Sequence, residues 1–252
     1  MKKIIVAAMA AGLAASVATA EVGVTLDFAS AYVFRGVTLN DGAVFQPGIE
    51  ASGFEIPEEY GSLAFGAWGN YDIDDYGGNV GSSTFQETDW YFSYGLPTLV
   101  EGLDLSVGYC EYSYGSGASD EEISLGAGTE IAGIGLGLTF FQGVGGFIGT
   151  QSYIEATAGY GLDLSEELSA SIDASAAFLD PDDSATTESG FHNYSIGAGL
   201  SYAISDAWSA GLSGAYIGQG DDDVLVDEDL AGTGTFGYDV EFVGMFSLAC
   251  EM

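Results

Sequence analysis

The chain has very few basic side chains. Three Lys and Arg residues and one His accompany 38 Asp and Glu residues. Lys2 and Lys3 stand at the start, so from residue 21 onward Arg35 alone faces 38 carboxylates, a net charge of −37. A charge of this sign repels nucleic acid and anionic lipid and attracts cations. The composition argues against a nucleic-acid-binding protein.

Cysteine and long apolar segments are also scarce. Cys110 and Cys250 are too few for a disulfide scaffold and have no metal-ligand spacing with His192. We expect both thiols to be unpaired and predict no cofactor. No apolar run after residue 20 approaches the roughly 20 residues of a membrane-spanning helix. If the chain spans a membrane, it must do so as a closed β-barrel, in which every backbone polar group is paired.

The first 20 residues have the pattern of a secretory signal peptide. Met1, Lys2 and Lys3 precede an apolar stretch over 4–17, and Ala18, Thr19 and Ala20 form an A-x-A-like cleavage site. This predicts an exported protein whose residues 1–20 are removed and whose residues 21–252 form one domain.

Alternation with a period of two recurs along the rest of the chain, as in Val22, Val24, Leu26 and Phe28 against Gly23, Thr25 and Asp27. This period indicates β-strands. It predicts about twelve, near 22–35, 44–54, 62–73, 86–96, 102–114, 121–131, 134–142, 151–162, 167–178, 190–202, 207–217 and 236–249. Most match the roughly 9 to 11 residues of a tilted transmembrane strand.

Connection lengths and aromatic positions distinguish a membrane barrel from a soluble β-sandwich. Connections such as 132–133 and 203–206 are short, whereas 74–85, 179–189 and 218–235 are longer and polar, as in outer-membrane barrels. Aromatic residues on the apolar parity near strand ends fit interfacial girdles. They are Tyr32, Phe34, Tyr71, Trp90, Tyr94, Tyr160, Phe178, Tyr194, Tyr202, Trp208 and Tyr216. We predict an all-β fold, a closed antiparallel up-and-down transmembrane β-barrel.

Two segments near the N-terminus resemble a known family. Their residues are Phe28, Tyr32, Val33, Phe34, Arg35, Gly36, Asn40 and Asp41 with Gln46, Pro47, Gly48, Ile49 and Glu50, then Gly66, Ala67, Trp68, Gly69 and Asn70 with Glu87, Thr88, Asp89, Trp90 and Tyr91. This pattern is similar to the first hairpins of the TorF-type porins, over about the first third of residues 21–252. The resemblance implies an outer-membrane barrel acting as a porin.

Arg35 is the first candidate functional residue. Parity counted from Val22 places it on the lumen face, at the outer end of the first predicted strand. Its guanidinium suits a bidentate ion pair with a facing carboxylate, which would be a structural role. It could also stand in a constriction and tune ion selectivity. The two roles are compatible.

Carboxylates on the lumen parity form a second set of candidates. They are Asp27, Asp89, Asp104, Glu130, Glu155, Asp173, Asp239 and Glu241. In an open, wet lumen they would favour cations over anions. The alternative is a narrow interior filled by hydrogen-bonded side chains, in which the same carboxylates are structural.

Two further clusters contain residue types that can carry chemistry. Asp221, Asp222 and Asp223 are weak candidates for calcium, but they lack the spacing of an EF-hand loop, and we predict no metal site. His192 and Ser195 are three apart on one predicted strand, hence on opposite faces, which separates base from nucleophile. No other motif for a hydrolase or a nucleotide-binding enzyme is present, so we do not expect an enzyme.

The sequence thus predicts an outer-membrane porin-like channel, embedded in lipid, through which small hydrophilic solutes diffuse, with a preference for small cations. The alternative is a non-conducting structural or surface-interaction barrel that presents acidic loops outside. A continuous water path lined by carboxylates would favour the channel, and a loop that blocks the lumen would favour the alternative.

Overall fold

The computed structural model describes residues 21–54, 57, 60–73, 84–97, 100–181, 188–227 and 236–252. Its elements are β-strands: β1 Glu21–Ala29, β2 Tyr32–Phe34, β3 Val37–Asn40, β4 Val44–Ser52, β5 Ser62–Asp72, β6 Phe85–Gly95, β7 Asp104–Tyr114, β8 Ser119–Ile131, β9 Ile134–Gly145, β10 Ser152–Asp163, β11 Leu168–Asp180, β12 Gly190–Ala203, β13 Trp208–Gln219 and β14 Phe242–Glu251. The predicted signal peptide, 1–20, lies outside the described residues. In the part of the chain that is described, no helix is long and apolar enough to cross a membrane.

Twelve strands form one closed antiparallel barrel. β4 to β14 follow one another around the wall, and β1 closes it by pairing with β14 on one side and β4 on the other. The predicted strand number and up-and-down order are confirmed. Closure pairs the edge strands with each other, as a membrane requires.

The two faces of the wall differ as the alternation predicts. Large apolar side chains point outward and stay exposed, including Ile123, Leu125, Leu138, Ile172, Ile196, Leu200, Leu212 and Phe246. Soluble proteins rarely expose apolar surface on this scale, whereas lipid covers it in a membrane. Side chains of the opposite parity point into the lumen. We call the end of the barrel where β1 begins and β14 ends the inner end, and the lumen-facing residues near it are mostly Gly and Ser.

The segment predicted as one strand over 22–35 is two separate structures, and that prediction is wrong beyond Ala29. β1 ends there, and the chain turns into a small hairpin of β2 and β3 before it re-enters the wall as β4. Tyr32 and Phe34, predicted at the membrane interface, belong to this hairpin and contact the lumen-facing residues Trp68 and Tyr112. We call residues 30–43 the lumen hairpin.

The last strand also begins later than predicted, at Phe242 instead of 236. Residues 236–241, which alternate in the sequence, do not join the barrel wall because they contact the lumen hairpin. Thr38 forms a β-bridge with Gly237, and its Oγ1 accepts a hydrogen bond from the Val240 N–H at 3.0 Å. The lumen hairpin therefore contacts the barrel wall and, through Thr38, the segment 236–240. Cys110 and Cys250 are both free.

Candidate functional site: the lumen hairpin and its acidic wall

A tight two-residue turn forms the tip of the lumen hairpin. Phe34 pairs with Val37, and Arg35 and Gly36 between them both have positive φ, 53° and 82°. Positive φ at both central residues is the type I′ conformation that matches the twist of a two-residue hairpin. Glycine adopts it without cost, whereas arginine is strained there, so contacts made by the Arg35 side chain must compensate.

Arg35 makes a bidentate ion pair with Glu122 of β8. Its two terminal nitrogens lie 2.7 and 2.8 Å from the two carboxylate oxygens. Both side chains are shielded from water, with 12% of Arg35 and 4% of Glu122 exposed. The Tyr112 hydroxyl donates a further hydrogen bond to Glu122 at 3.1 Å. Because a partly formed buried ion pair is costly, this geometry fixes the position of the hairpin tip.

Three aromatic rings surround the guanidinium. Its central carbon lies 4.8 Å from the ring centroid of Phe34 and 4.4 Å from those of Phe141 and Tyr153. These distances are within the range of cation–π attraction. Burial alone would lower the pKa of Arg35, but the hydrogen-bonded Glu122 carboxylate raises it above its ordinary value, so the guanidinium stays charged.

The base of the lumen hairpin is held by hydrogen bonds to the first strands of the wall. The Tyr32 hydroxyl donates to Glu87 of β6 at 2.9 Å, and Asn40 Nδ2 donates to Asp72 of β5 at 3.0 Å and to Gln86 Oε1 at 3.1 Å. Burial, then the charges of Glu87 and Asp89, raise the pKa of Tyr32. The phenol therefore remains a donor.

Apolar side chains form two buried clusters in the outer half of the lumen. Ala29, Tyr32 and Val44 form one buried cluster, and Val224 of the loop after β13 joins Tyr153 in another. A pore lined only by polar groups would contain no such clusters. The lumen hairpin and the turn around Val224 thus occupy the outer half, and the inner half keeps its Gly and Ser lining.

Substitution of Gly36 tests the fit of the hairpin tip. An added Cβ would lie 2.8 Å from Leu225 Cδ2 and 2.9 Å from Asn193 Cβ, so Gly36→Ala should weaken hairpin docking by about 2–3 kcal/mol. Gly117→Ala is the control, since Gly117 has a similar φ of +84° and an empty surrounding. Chymotrypsin should cut at Phe34 much faster in Gly36→Ala alone; equal cleavage in both variants would contradict this fit.

The predicted lumen carboxylates fall into three groups. Within the wall, Asp27, Asp89, Glu155 and Asp173 face the lumen, and Asp104 and Glu130 stand exposed at its inner rim. The prediction for Asp239 and Glu241 is wrong, because both precede β14 and are exposed. Arg35 is in the lumen, but it comes from the hairpin and not from the first strand.

Sequence reasoning missed four buried carboxylates, Asp72, Asp120, Glu87 and Glu122. Two of them accept hydrogen bonds from Tyr32 and Arg35 of the lumen hairpin, namely Glu87 and Glu122. Each shares the parity of a carboxylate that was predicted on the same strand, Asp89 on β6 and Glu130 on β8. Parity alone could therefore have placed both in the lumen. Their pairing with the lumen hairpin could not have been read from parity, since it depends on the inward fold.

The region around His192 also differs from the prediction. The pairing of β11 with β12 shifts register at Ala177, and His192 turns inward, where its ring packs edge-on against Tyr153 with centroids 5.8 Å apart. His192 and Ser195 are therefore both in the lumen. His192 Nδ1 is 2.9 Å from Asn193 Oδ1, and the Ser195 hydroxyl is 2.9 Å from that of Ser175, so they are not bonded as base and nucleophile.

Asp221, Asp222 and Asp223 lie together in the exposed loop after β13, with one ligand atom from each within 4.8 Å of the others. The three residues stand together because the chain turns here: Asp221 accepts hydrogen bonds from the backbone N–H groups of Asp223, Val224 and Leu225. The turn positions Val224 over the lumen.

These features define the class of fold, a closed twelve-stranded antiparallel transmembrane β-barrel. A scan against family models finds no match, and neither does a search of curated protein sequences. Solved structures do match. A NanC porin has a TM-score of 0.54 and 8% identity over 92% of this chain and 100% of that one. A KdgM porin has a TM-score of 0.52 and 8% identity over 90% and 98%. At such identity the likeness shows the fold.

Proposed function

We propose that the chain is a porin-like diffusion channel of the outer membrane for small hydrophilic solutes, with a preference for cations. The observation that carries the proposal is the contrast between an apolar outer face and a lumen of hydroxyl, carboxylate and glycine positions in one closed barrel. This arrangement suits a wet path through lipid. The resemblance of the first hairpins to the TorF-type porins supports the same function.

The preference for cations rests on the charges of the lumen. Arg35 is the only Lys or Arg after residue 20, and Glu122 neutralises it. Asp27, Glu155 and Asp173 remain as acidic groups on separate strands. Rings of carboxylates favour cations in a pore. A KdgM porin structure contains an oligogalacturonate, a polyanion, and the acidic lumen of this chain is unsuited to such a solute. We therefore do not extend the solute of the KdgM porin structure to this chain on the basis of the common fold.

A selectivity measurement tests this assignment. Asp27→Asn combined with Asp173→Asn should lower the cation-to-anion permeability ratio by about twofold, because two lumen charges are lost. Glu111→Gln combined with Glu121→Gln is the matched control, since these two carboxylates face each other on the outer parity. Reversal potentials under a salt gradient report the ratio. An equal shift in both double variants would show that net charge, and not the lumen, sets selectivity.

A non-conducting barrel is the second candidate, and the lumen hairpin favours it. Thr38 and Asn40 at its base are completely buried, and so are Asn70 and Asp72 on the wall strand β5. If the hairpin remains docked, it leaves at most a narrow path through the outer half of the lumen. The two functions differ in whether the folded chain passes current with the hairpin in place and after its removal.

A further inference from the structure

Glu87 and Asp89 form a buried pair of carboxyl groups beside the lumen hairpin. They are two residues apart on β6, so both face the lumen, and only 4% and 8% of their surfaces are exposed. Side chains two residues apart on a strand are neighbours on the same face, so the two carboxyl groups are adjacent on the lumen wall. Tyr32 closes the pair on the hairpin side through its hydrogen bond to Glu87 Oε2.

The pair has no basic partner of its own. Arg35, the only Lys or Arg in the described part of the chain, is bound on both nitrogens by Glu122. Asp120, the next carboxylate on this wall, is satisfied by the Tyr114 hydroxyl at 2.7 Å and by the N–H groups of Phe147 and Ile148. Arg35 is therefore not available to neutralise the pair, and Asp120, itself an acidic group, donates no charge or proton to it.

One oxygen of the pair is left over. Asp89 Oδ1 is buried and has no hydrogen-bond partner among the described residues. Burying a charged oxygen without a partner costs several kcal/mol, and two adjacent carboxylates repel each other. A cation between the two groups would remove both costs, since it would bind the open oxygen and balance the charge.

We infer that Glu87 and Asp89 form a cation-binding site in the lumen that takes a calcium-sized ion on carboxylate oxygens. Hard cations prefer oxygen ligands, and Mg²⁺ gives up its water reluctantly, which favours Ca²⁺ at a site so poorly exposed to solvent. The site rests on the proposed function only in that cations must enter the lumen. The simplest rival is a single proton shared by the pair.

Terbium, a luminescent substitute for Ca²⁺, tests the site directly. The ring centroids of Trp68 and Tyr32 are 5.4 Å apart, and the Tyr32 hydroxyl donates a hydrogen bond to Glu87. Excited Trp68 would therefore transfer energy to a Tb³⁺ ion bound at Glu87 and Asp89. The experiment uses the folded full barrel carrying Asp221→Asn, Asp222→Asn and Asp223→Asn, which removes the exposed acidic loop as a second binding place.

We expect saturable Tb³⁺ emission that Ca²⁺ displaces, with an affinity at least about tenfold weaker in Asp89→Asn and in Glu87→Gln. Glu111→Gln with Glu121→Gln, on the outer parity, should leave it unchanged. Emission that is absent, or that both single variants retain, overturns the site and leaves the shared proton. Heat-modified migration on gels checks that each variant is folded. Reversal potentials on the same samples keep the outcomes separate: cation-selective current without Tb³⁺ binding rejects the site alone.

Discussion

Replacement of residues 31–42 by an Asn-Gly turn is expected to raise single-channel conductance several-fold. Ala29 of β1 and Val44 of β4 face each other in register, so a two-residue turn between Ser30 and Ala43 can close the wall without the hairpin. The outer half of the lumen would then lose the segment that fills it, and conductance grows with the open cross-section.

Arg35→Lys provides a graded comparison. Lysine keeps the charge near Glu122 but cannot form the two parallel bonds, so this variant should give brief openings between wild-type and deletion levels. A deletion variant that folds and conducts like the wild type would show that the hairpin does not limit the path.

Loss of the Arg35 side chain should release the lumen hairpin. Arg35→Ala leaves Glu122 buried and charged with only the Tyr112 hydroxyl as a described partner, which costs about 3–5 kcal/mol and lowers the hydrogen-exchange protection of residues 32–40 by roughly 100-fold or more. Protection elsewhere in the wall should persist. Asp41→Asn, an exposed change on the same hairpin, is the control.

The double variant Arg35→Met, Glu122→Leu separates the ion pair from packing. Because neither charge is then stranded, it should protect the hairpin better than Arg35→Ala does. If the double variant is no better, aromatic packing around the guanidinium, and not charge pairing, holds the tip. If Arg35→Ala keeps wild-type protection, the hairpin is held by its base alone.

The barrel could be predicted because the alternation of lipid-facing and lumen-facing residues is periodic along each strand. Lipid on one side and a wet lumen on the other impose a period of two on every spanning strand, and that period gave the strand number and most strand positions. The same parity predicts Asp27, Asp89, Glu155 and Asp173 for the lumen face of their strands, and their part in ion selectivity stays a prediction. It would also have placed Glu122 there.

The lumen hairpin escaped prediction for a physical reason. Tyr32 and Phe34 keep the apolar parity of β1 and Arg35 keeps the polar parity, so these residues read as a continuation of that strand. The hairpin's inward course is fixed by long-range contacts, Arg35 with Glu122 and Tyr32 with Glu87, which leave no local period. Residues 236–241 were predicted as part of the last strand for the same reason, but Gly237 pairs with Thr38 of the lumen hairpin and not with a wall strand.

The most direct test of the whole account is the current through the wild-type chain, residues 21–252, refolded into a planar bilayer under a salt gradient. We expect small discrete steps with the reversal potential of a cation-selective pore, and larger steps with the same selectivity after removal of the lumen hairpin. A correctly folded barrel that is silent both with and without the hairpin would contradict this expectation.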